Sequence, residues 1–80
     1  MYSLFYNSVM KRKHDVVNFV KRHRSLSGLT QQDLADRLEV TRQTVLSIEK
    51  GKYTPSVALA LRMAEIFDVP VESLFQLNEG

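Results

Sequence analysis

The sequence predicts an all-α fold, a bundle of five short helices in a single 80-residue domain. Three observations predict it: apolar residues recur at helical spacing, residues that commonly cap helices precede these segments, and the few internal Gly and Pro residues lie between them. An alternating strand pattern occurs only in "YSLFY" at residues 2–6, a candidate short N-terminal β-strand.

Each helix is predicted from its cap and its apolar face. The first covers residues 15–27, with Asp15 as N-cap and Gly28 in the left-handed conformation at its end. The second covers residues 31–38 and follows Thr30, which resembles a capping box together with Asp33. The other three are predicted at residues 42–50 after Thr41, 57–67 after Ser56, and near 71–75 after Pro70.

Charge is unevenly distributed along the chain, although the net charge is only +2. Residues 1–30 contain six Lys or Arg and one acid, whereas residues 53–80 contain one base and four acids. A basic N-terminal half can face an anionic partner, but the same charges also suit a solvated helix surface. Charge alone leaves both interpretations open.

Composition excludes several classes of protein. The chain has no cysteine for disulfides or thiolate metal ligands, and no run of 18 apolar residues for a membrane span. The N-terminal apolar residues precede "KRKHD", the reverse order of a signal peptide, so a cytoplasmic protein is expected. There is no Gly-rich phosphate loop and no acid–histidine cluster at metal-binding spacing, so we expect no enzyme, no cofactor and no metal.

The second and third helices are joined by only three residues, "EVT", which is the spacing of a helix-turn-helix motif. A helix as short as residues 42–50 is marginal in water by itself, so it must be braced. Val45 and Ile48 share one face, and we expect them to pack with Val40 against the apolar residues Leu34, Ala35 and Leu38. The opposite face of the third helix then stays outside.

That outer face is polar, with Arg42, Gln43, Leu46, Ser47 and Lys50. A helix fits the major groove of B-DNA, where Arg binds guanine and Gln binds adenine through paired hydrogen bonds. Leu46 suits either a thymine methyl group or partial cover by a neighbouring loop. Contacts to the DNA backbone are predicted for Thr30, Gln31, Thr41, Thr44, Lys50, Lys52 and Tyr53, because helix N-termini and basic loops bind phosphate. The alternative is an ordinary solvated face.

The run "GLTQQDLADRLEVTRQTVLSIEKGKYTPSVALALRMAEIFDVPVESLF" resembles the lambda repressor-like, Cro/cI-type helix-turn-helix domain of the XRE family. The resemblance covers residues 17–75 and implies a dimer that binds operator DNA with its third helix in the major groove. It implies base reading by Arg42, Gln43 and Ser47, and backbone contacts by Gln31 and Lys52. It further implies a structural salt bridge between Arg24 and Glu49.

Three residues depart from the pattern of that family. Glu39 and Asp68 replace common glycines, so a positive φ at residue 39 would strain the backbone by about 1 kcal/mol. His23 replaces a leucine and is expected to be half-buried. None of these residues lies on the outer face of the third helix.

The sequence thus predicts a sequence-specific, double-stranded-DNA-binding transcriptional regulator at residues 14–77, acting as a homodimeric repressor on a palindromic operator. Alternatives are an antitoxin-type module that binds a protein partner, and the controller protein of a restriction–modification system. Residues 1–13 are predicted to be an extension or arm that contacts the second copy or the DNA, and the alternative is a disordered start that precedes the domain. Residues 2–6 can also pair with "LFQLN" near the C-terminus.

Overall fold

The computed structural model describes residues 16–78, which form four α-helices and a small antiparallel sheet. In chain order the elements are β1 Val16–Asn18, α1 Val20–Leu26, α2 Gln31–Leu38, α3 Arg42–Glu49, α4 Val57–Phe67, a 3₁₀ turn Val71–Ser73, and β2 Phe75–Leu77. The predictions for α2, α3 and α4 are confirmed to within one residue. The prediction of five helices is wrong.

The first helix begins at Val20 rather than at residue 15, because the segment before it is a strand. Val16 and Val17 are β-branched and favour extended backbone. Asn18 then directs the chain into α1, since its Oδ1 accepts a hydrogen bond from the Val20 N–H at 3.2 Å. The proposed Asp15 cap, the candidate strand at residues 2–6 and the arm at 1–13 lie outside the described residues.

The expected fifth helix is a single 3₁₀ turn that leads into a strand. Pro70 starts the turn as expected, but five residues cannot repay the cost of helix nucleation. Pairing offers the backbone a better set of hydrogen bonds: Val16 lies opposite Leu77, and Asn18 lies opposite Phe75. The C-terminal segment therefore pairs with residues 16–18.

All four helices pack around one apolar core. Its members are at most 9% exposed and comprise Val20, Leu34, Ala35, Leu38, Val45, Ile48, Met63, Ala64, Phe67 and Leu74. The expected packing of α2 on α3 is confirmed, with Val40 in the turn lying against the same cluster. Within residues 16–78, every helix is too short or too polar to traverse a lipid bilayer.

The four helices between residues 16 and 78 end in the same hydrogen-bonded motif. A residue with positive φ follows each helix: Gly28 at 74°, Glu39 at 60°, Gly51 at 76° and Asp68 at 56°. The next residue then donates its N–H to a carbonyl five residues back, as Lys52 does to Ser47 at 2.9 Å. This Schellman arrangement satisfies carbonyl groups that the helix leaves without partners. Glu39 has a Cβ in this conformation, so the expected strain is present there.

Candidate functional site

One face of helix α3 packs against the core, and the opposite face is open to solvent. Val45 and Ile48 are each 1% exposed, whereas Arg42 and Gln43 at the N-terminal end are exposed to solvent. Thr41 starts the helix by accepting a hydrogen bond from the Thr44 N–H at 3.2 Å. The guanidinium group of Arg42 and the amide group of Gln43 therefore project from a helix whose orientation is fixed by its packing against the core.

Side chains along the outer face of α3 contact one another. The Gln43 Nε2 lies 3.4 Å from the Ser47 hydroxyl oxygen, a long hydrogen bond that DNA can replace. The hydroxyl oxygens of Thr41 and Thr44 are 3.0 Å apart. Leu46 is half-buried. This exposure is compatible with both arrangements expected for it, contact with a thymine methyl group and partial cover by a neighbouring loop.

A shallow groove lies between α3 and the loop that follows it. It is lined by Gln43, Thr44, Ser47, Lys52 and Tyr53, which the sequence analysis assigned to base or backbone contacts. Tyr53 is 47% exposed and Lys52 is also exposed. The fold therefore brings the third helix and the Lys52 loop onto one surface, and Lys50 is exposed at the end of the same helix.

Lys52 differs from the residues in the same position after the other helices. In α1, α2 and α4, the residue that closes the helix-end motif is Leu29, Val40 or Val69, each packed against the core. An apolar residue usually occupies this position, because it covers the end of the helix. At the end of α3 the position carries an exposed cation instead, which suits an anionic partner.

The N-terminus of α2 supplies a second polar edge. The Thr30 hydroxyl accepts from the Asp33 N–H at 3.0 Å, and the Thr30 N–H donates to Asp33 Oδ2 at 2.9 Å, so the expected capping box is present. The Thr30 backbone N–H, followed by its hydroxyl and the charge of Arg37, lowers the pKa of Asp33. The box keeps the first turn of α2 intact, with Gln31 at its start.

A partly buried ion pair fixes the far end of α3. Arg24 Nε lies 2.6 Å from Glu49 Oε2, and the two side chains are 12% and 4% exposed. Arg24 also donates to Glu49 Oε1 at 3.3 Å and to the Leu29 carbonyl at 2.9 Å. Gln31 Nε2 donates to the same Glu49 Oε1 at 3.1 Å. Three helices thus meet at one carboxylate, and Gln31 is oriented by it.

Sequence reasoning missed Asn18 as a positioning residue. Its Nδ2 donates to the Ile48 carbonyl at 2.9 Å, while its Oδ1 accepts from Val20, so it joins β1 and α1 to the end of α3. The signal was present, because Asn is favoured just before helices. It was hidden by the prediction of a helix through residue 18. His23 is half-buried, as expected, with its ring centroid 6.0 Å from that of Phe67.

Comparison with known sequences finds relatives over most of the chain. The family model described as helix-turn-helix matches residues 20–74. An uncharacterized HTH-type transcriptional regulator of Methanocaldococcus jannaschii is 52% identical over 58 residues, covering 72% of this chain and 88% of the relative. The uncharacterized HTH-type transcriptional regulator YgzD of Bacillus subtilis is 45% identical over 62 residues, covering 78% and 94%.

Two solved structures have similar folds. A Bacteroides fragilis protein classed as DNA-binding superposes with a TM-score of 0.72 at 21% identity, covering 76% of this chain and 98% of that one. The restriction–modification controller protein C.AhdI of Aeromonas hydrophila superposes with a TM-score of 0.62 at 26% identity, covering 68% and 78%. At 21% identity, the first similarity concerns the fold alone.

Proposed function

Since the chain belongs to the XRE-type helix-turn-helix family of transcriptional regulators, we propose that it binds double-stranded DNA sequence-specifically and represses transcription as a homodimer on a palindromic operator. One observation supports this most directly: Arg42 and Gln43 are exposed at the start of a helix whose other face is buried. Such a helix can enter a major groove without rearrangement of the domain.

In the proposed complex, α3 lies in the major groove. Arg42 donates two hydrogen bonds to guanine O6 and N7, and Gln43 bonds adenine N6 and N7. Ser47 and Leu46 face bases one helical turn further along, Leu46 against a thymine methyl group. Each good paired contact contributes about 1–3 kcal/mol of discrimination.

Backbone contacts surround α3 in this arrangement. The proposed phosphate ligands are the residues around α3 and the start of α2, namely Thr30, Gln31, Thr41, Thr44, Lys50, Lys52 and Tyr53. Gln31 keeps one amide N–H for phosphate after its bond to Glu49. Such contacts position the domain on the duplex but carry no sequence information.

The homodimer follows from the energy that specificity requires. Two or three base contacts by one α3 give roughly 4–6 kcal/mol of discrimination, at a mid-range value of about 2 kcal/mol each. Selecting one site among about 10⁶–10⁷ genomic competitors requires on the order of 8–10 kcal/mol. Two copies on a palindrome meet that requirement, with half-sites about 34 Å apart.

Selection of bound duplexes from a random DNA pool tests the proposal directly. We expect a palindromic consensus whose half-sites lie about one helical turn apart. Affinity should also fall with salt, with a log–log slope near −5 if about six phosphates are contacted. Recovery of a pool with no enriched sequence would contradict sequence-specific binding.

A second candidate is a controller protein of a restriction–modification system, which the similarity to C.AhdI favours. Both candidates share the DNA-binding surface and act on DNA in the cytoplasm, but a controller regulates the genes of a restriction enzyme and its methyltransferase. Placing the selected operator upstream of a reporter gene, and mapping its genomic copies, separates the two.

A further inference from the structure

An open groove of about 310 Å³ lies between α1 and the segment that leads into β2. The residues that line this α1–β2 groove are Phe19, Arg22, His23, Leu26, Ser73 and Gln76. The two walls are joined by the backbone, because the Phe19 N–H donates to the carbonyl of buried Leu74 at 2.8 Å. None of the lining residues belongs to the proposed DNA-binding surface.

The polar side chains that line the α1–β2 groove are hydrogen-bond donors. Arg22 supplies a guanidinium, His23 an imidazole and Ser73 a hydroxyl group. The Gln76 amide is already engaged, since its Nε2 donates to the Glu72 carbonyl at 3.1 Å. Among the described residues, the lining of this groove includes no carboxylate. The groove therefore suits an anionic group rather than a cationic one.

Arg22 is the cation that can bind this anionic group. Arg24, on the same helix, is already paired with Glu49 at 2.6 Å. Arg22 is exposed, and within residues 16–78 its guanidinium takes part in no hydrogen bond or ion pair. A guanidinium binds a carboxylate or phosphate group through two parallel hydrogen bonds. The groove thus has a charged donor that the fold itself does not use.

Apolar surface lies beside these donors. Leu26 is 76% exposed at the end of α1, and Phe19 is half-buried. Val17 is 38% exposed and pairs with Gln76, and residues directly opposite in an antiparallel ladder share a face of the sheet. Val17 therefore extends the apolar surface beyond Gln76. A ligand that carries an apolar body as well as a charge would remove this surface from water.

We propose that the α1–β2 groove binds a small amphipathic anion. Its carboxylate or phosphate group contacts Arg22 and His23, the Ser73 hydroxyl donates to it from the opposite wall, and its apolar body covers Phe19 and Leu26. Ligand pockets usually measure about 300–1,000 Å³, so a groove of about 310 Å³ accepts only a small molecule. This site does not depend on the proposed DNA binding.

Titration of the full, isotope-labelled chain with octanoate, followed by the NMR signals of its backbone amides, tests the site. Octanoate should give saturable shifts that are largest on both walls of the groove, at His23, Leu26, Ser73 and Gln76. Acetate lacks the apolar body and octanol lacks the charge, so each should bind at least tenfold more weakly. Absence of saturable shifts, shifts centred on another surface, or octanol binding as tight as octanoate binding would overturn the proposal.

Two substitutions of neighbouring bases on α1 test the role of the guanidinium. Arg22→Gln should weaken octanoate binding at least tenfold. Lys21→Gln is the matched control, because Lys21 is an exposed base on the same helix that does not line the groove. It should change the dissociation constant less than twofold, and thermal melts should show both variants folded. Equal octanoate affinity of the two variants would overturn the assignment of the anion to Arg22.

A DNA duplex distinguishes a separate site from one more phosphate contact of the DNA backbone, which shares the same anionic chemistry. Saturating duplex should leave the octanoate dissociation constant within twofold of its value without DNA. Displacement of octanoate by the duplex would assign the groove to the DNA backbone and overturn the proposal. A chain that binds octanoate but no duplex would contradict the proposed function and support this site.

Discussion

Replacing Glu49 with alanine should destabilise the domain strongly, although Glu49 lies at the end of a surface helix. The carboxylate is 4% exposed and accepts three hydrogen bonds, two from Arg24 and one from Gln31. Removing one member of a buried ion pair costs roughly 3–5 kcal/mol, because the other charge stays buried without a partner. Arg24 keeps its bond to the Leu29 carbonyl, so we expect the lower end, about 3 kcal/mol.

Urea unfolding at neutral pH, followed by far-ultraviolet circular dichroism, measures this loss. In a thermal melt, about 3 kcal/mol corresponds to a fall in Tm of roughly 12–24 °C for a domain of this size. Glu72→Ala is the matched control, since Glu72 is an exposed acid in the 3₁₀ turn and should change stability by less than about 0.5 kcal/mol.

The reasoning is refuted if Glu49→Ala loses less than about 1 kcal/mol. The double variant Arg24→Met/Glu49→Leu sharpens the test, because replacing a whole buried ion pair by apolar groups of similar volume is often neutral. It should be at least about 2 kcal/mol more stable than Glu49→Ala. A double variant no more stable than the single one would show that packing, not the unpaired charge, causes the loss.

Three further predictions concern the backbone, pH and DNA. Glu39→Gly should raise the free energy of unfolding by about 0.5–1 kcal/mol, since relief of about 1–2 kcal/mol of left-handed strain exceeds the entropy that glycine adds to the unfolded chain; an unchanged or lower Tm contradicts this. The lowered pKa of Asp33 means that its carboxylate stabilises the fold above about pH 4 and that this contribution is lost as pH falls through the folded-state pKa. Asp33→Asn should therefore be less stable than wild type at pH 6, with a gap that narrows toward pH 3 in urea titrations; a constant gap counts against the capping role. In binding assays, Gln43→Ala should relax preference at one base pair by about 1–3 kcal/mol, and Lys52→Ala should weaken all duplexes alike and reduce the salt slope by about 1. Wild-type affinity of both variants for every duplex would show that the assigned surface is wrong.

The central helices could be predicted from sequence because local and global signals agree there. Thr30, Thr41 and Ser56 each accept the capping hydrogen bond expected of them, and the apolar spacing in α2, α3 and α4 matches the buried residues. The three-residue "EVT" link keeps α2 and α3 close together, so their apolar faces pack against each other. The proposed DNA-binding surface followed from that packing, since the remaining face had to lie outside.

The two ends of the domain could not be predicted in the same way. The partners Val16 and Leu77 lie 61 positions apart, and nothing within either segment shows that it pairs with the other. Apolar residues at "VVNFV" and "VESLF" fit helix or strand equally well over so short a length. The contact between Asn18 and Ile48 was hidden for the same reason, because it depends on where the strand ends.

The pairing of Val16 with Leu77 brings the entry and exit points of the described fold together. Partner residues in an antiparallel ladder have Cα atoms about 4.5–5.5 Å apart, a gap that a two-residue hairpin can close. The two ends of the described fold thus lie side by side. A circular permutant in which residue 77 is joined to residue 16, with new termini between α1 and α2, should retain the architecture. A protein fused directly before residue 16 or directly after residue 78 would be attached at the same point of the domain.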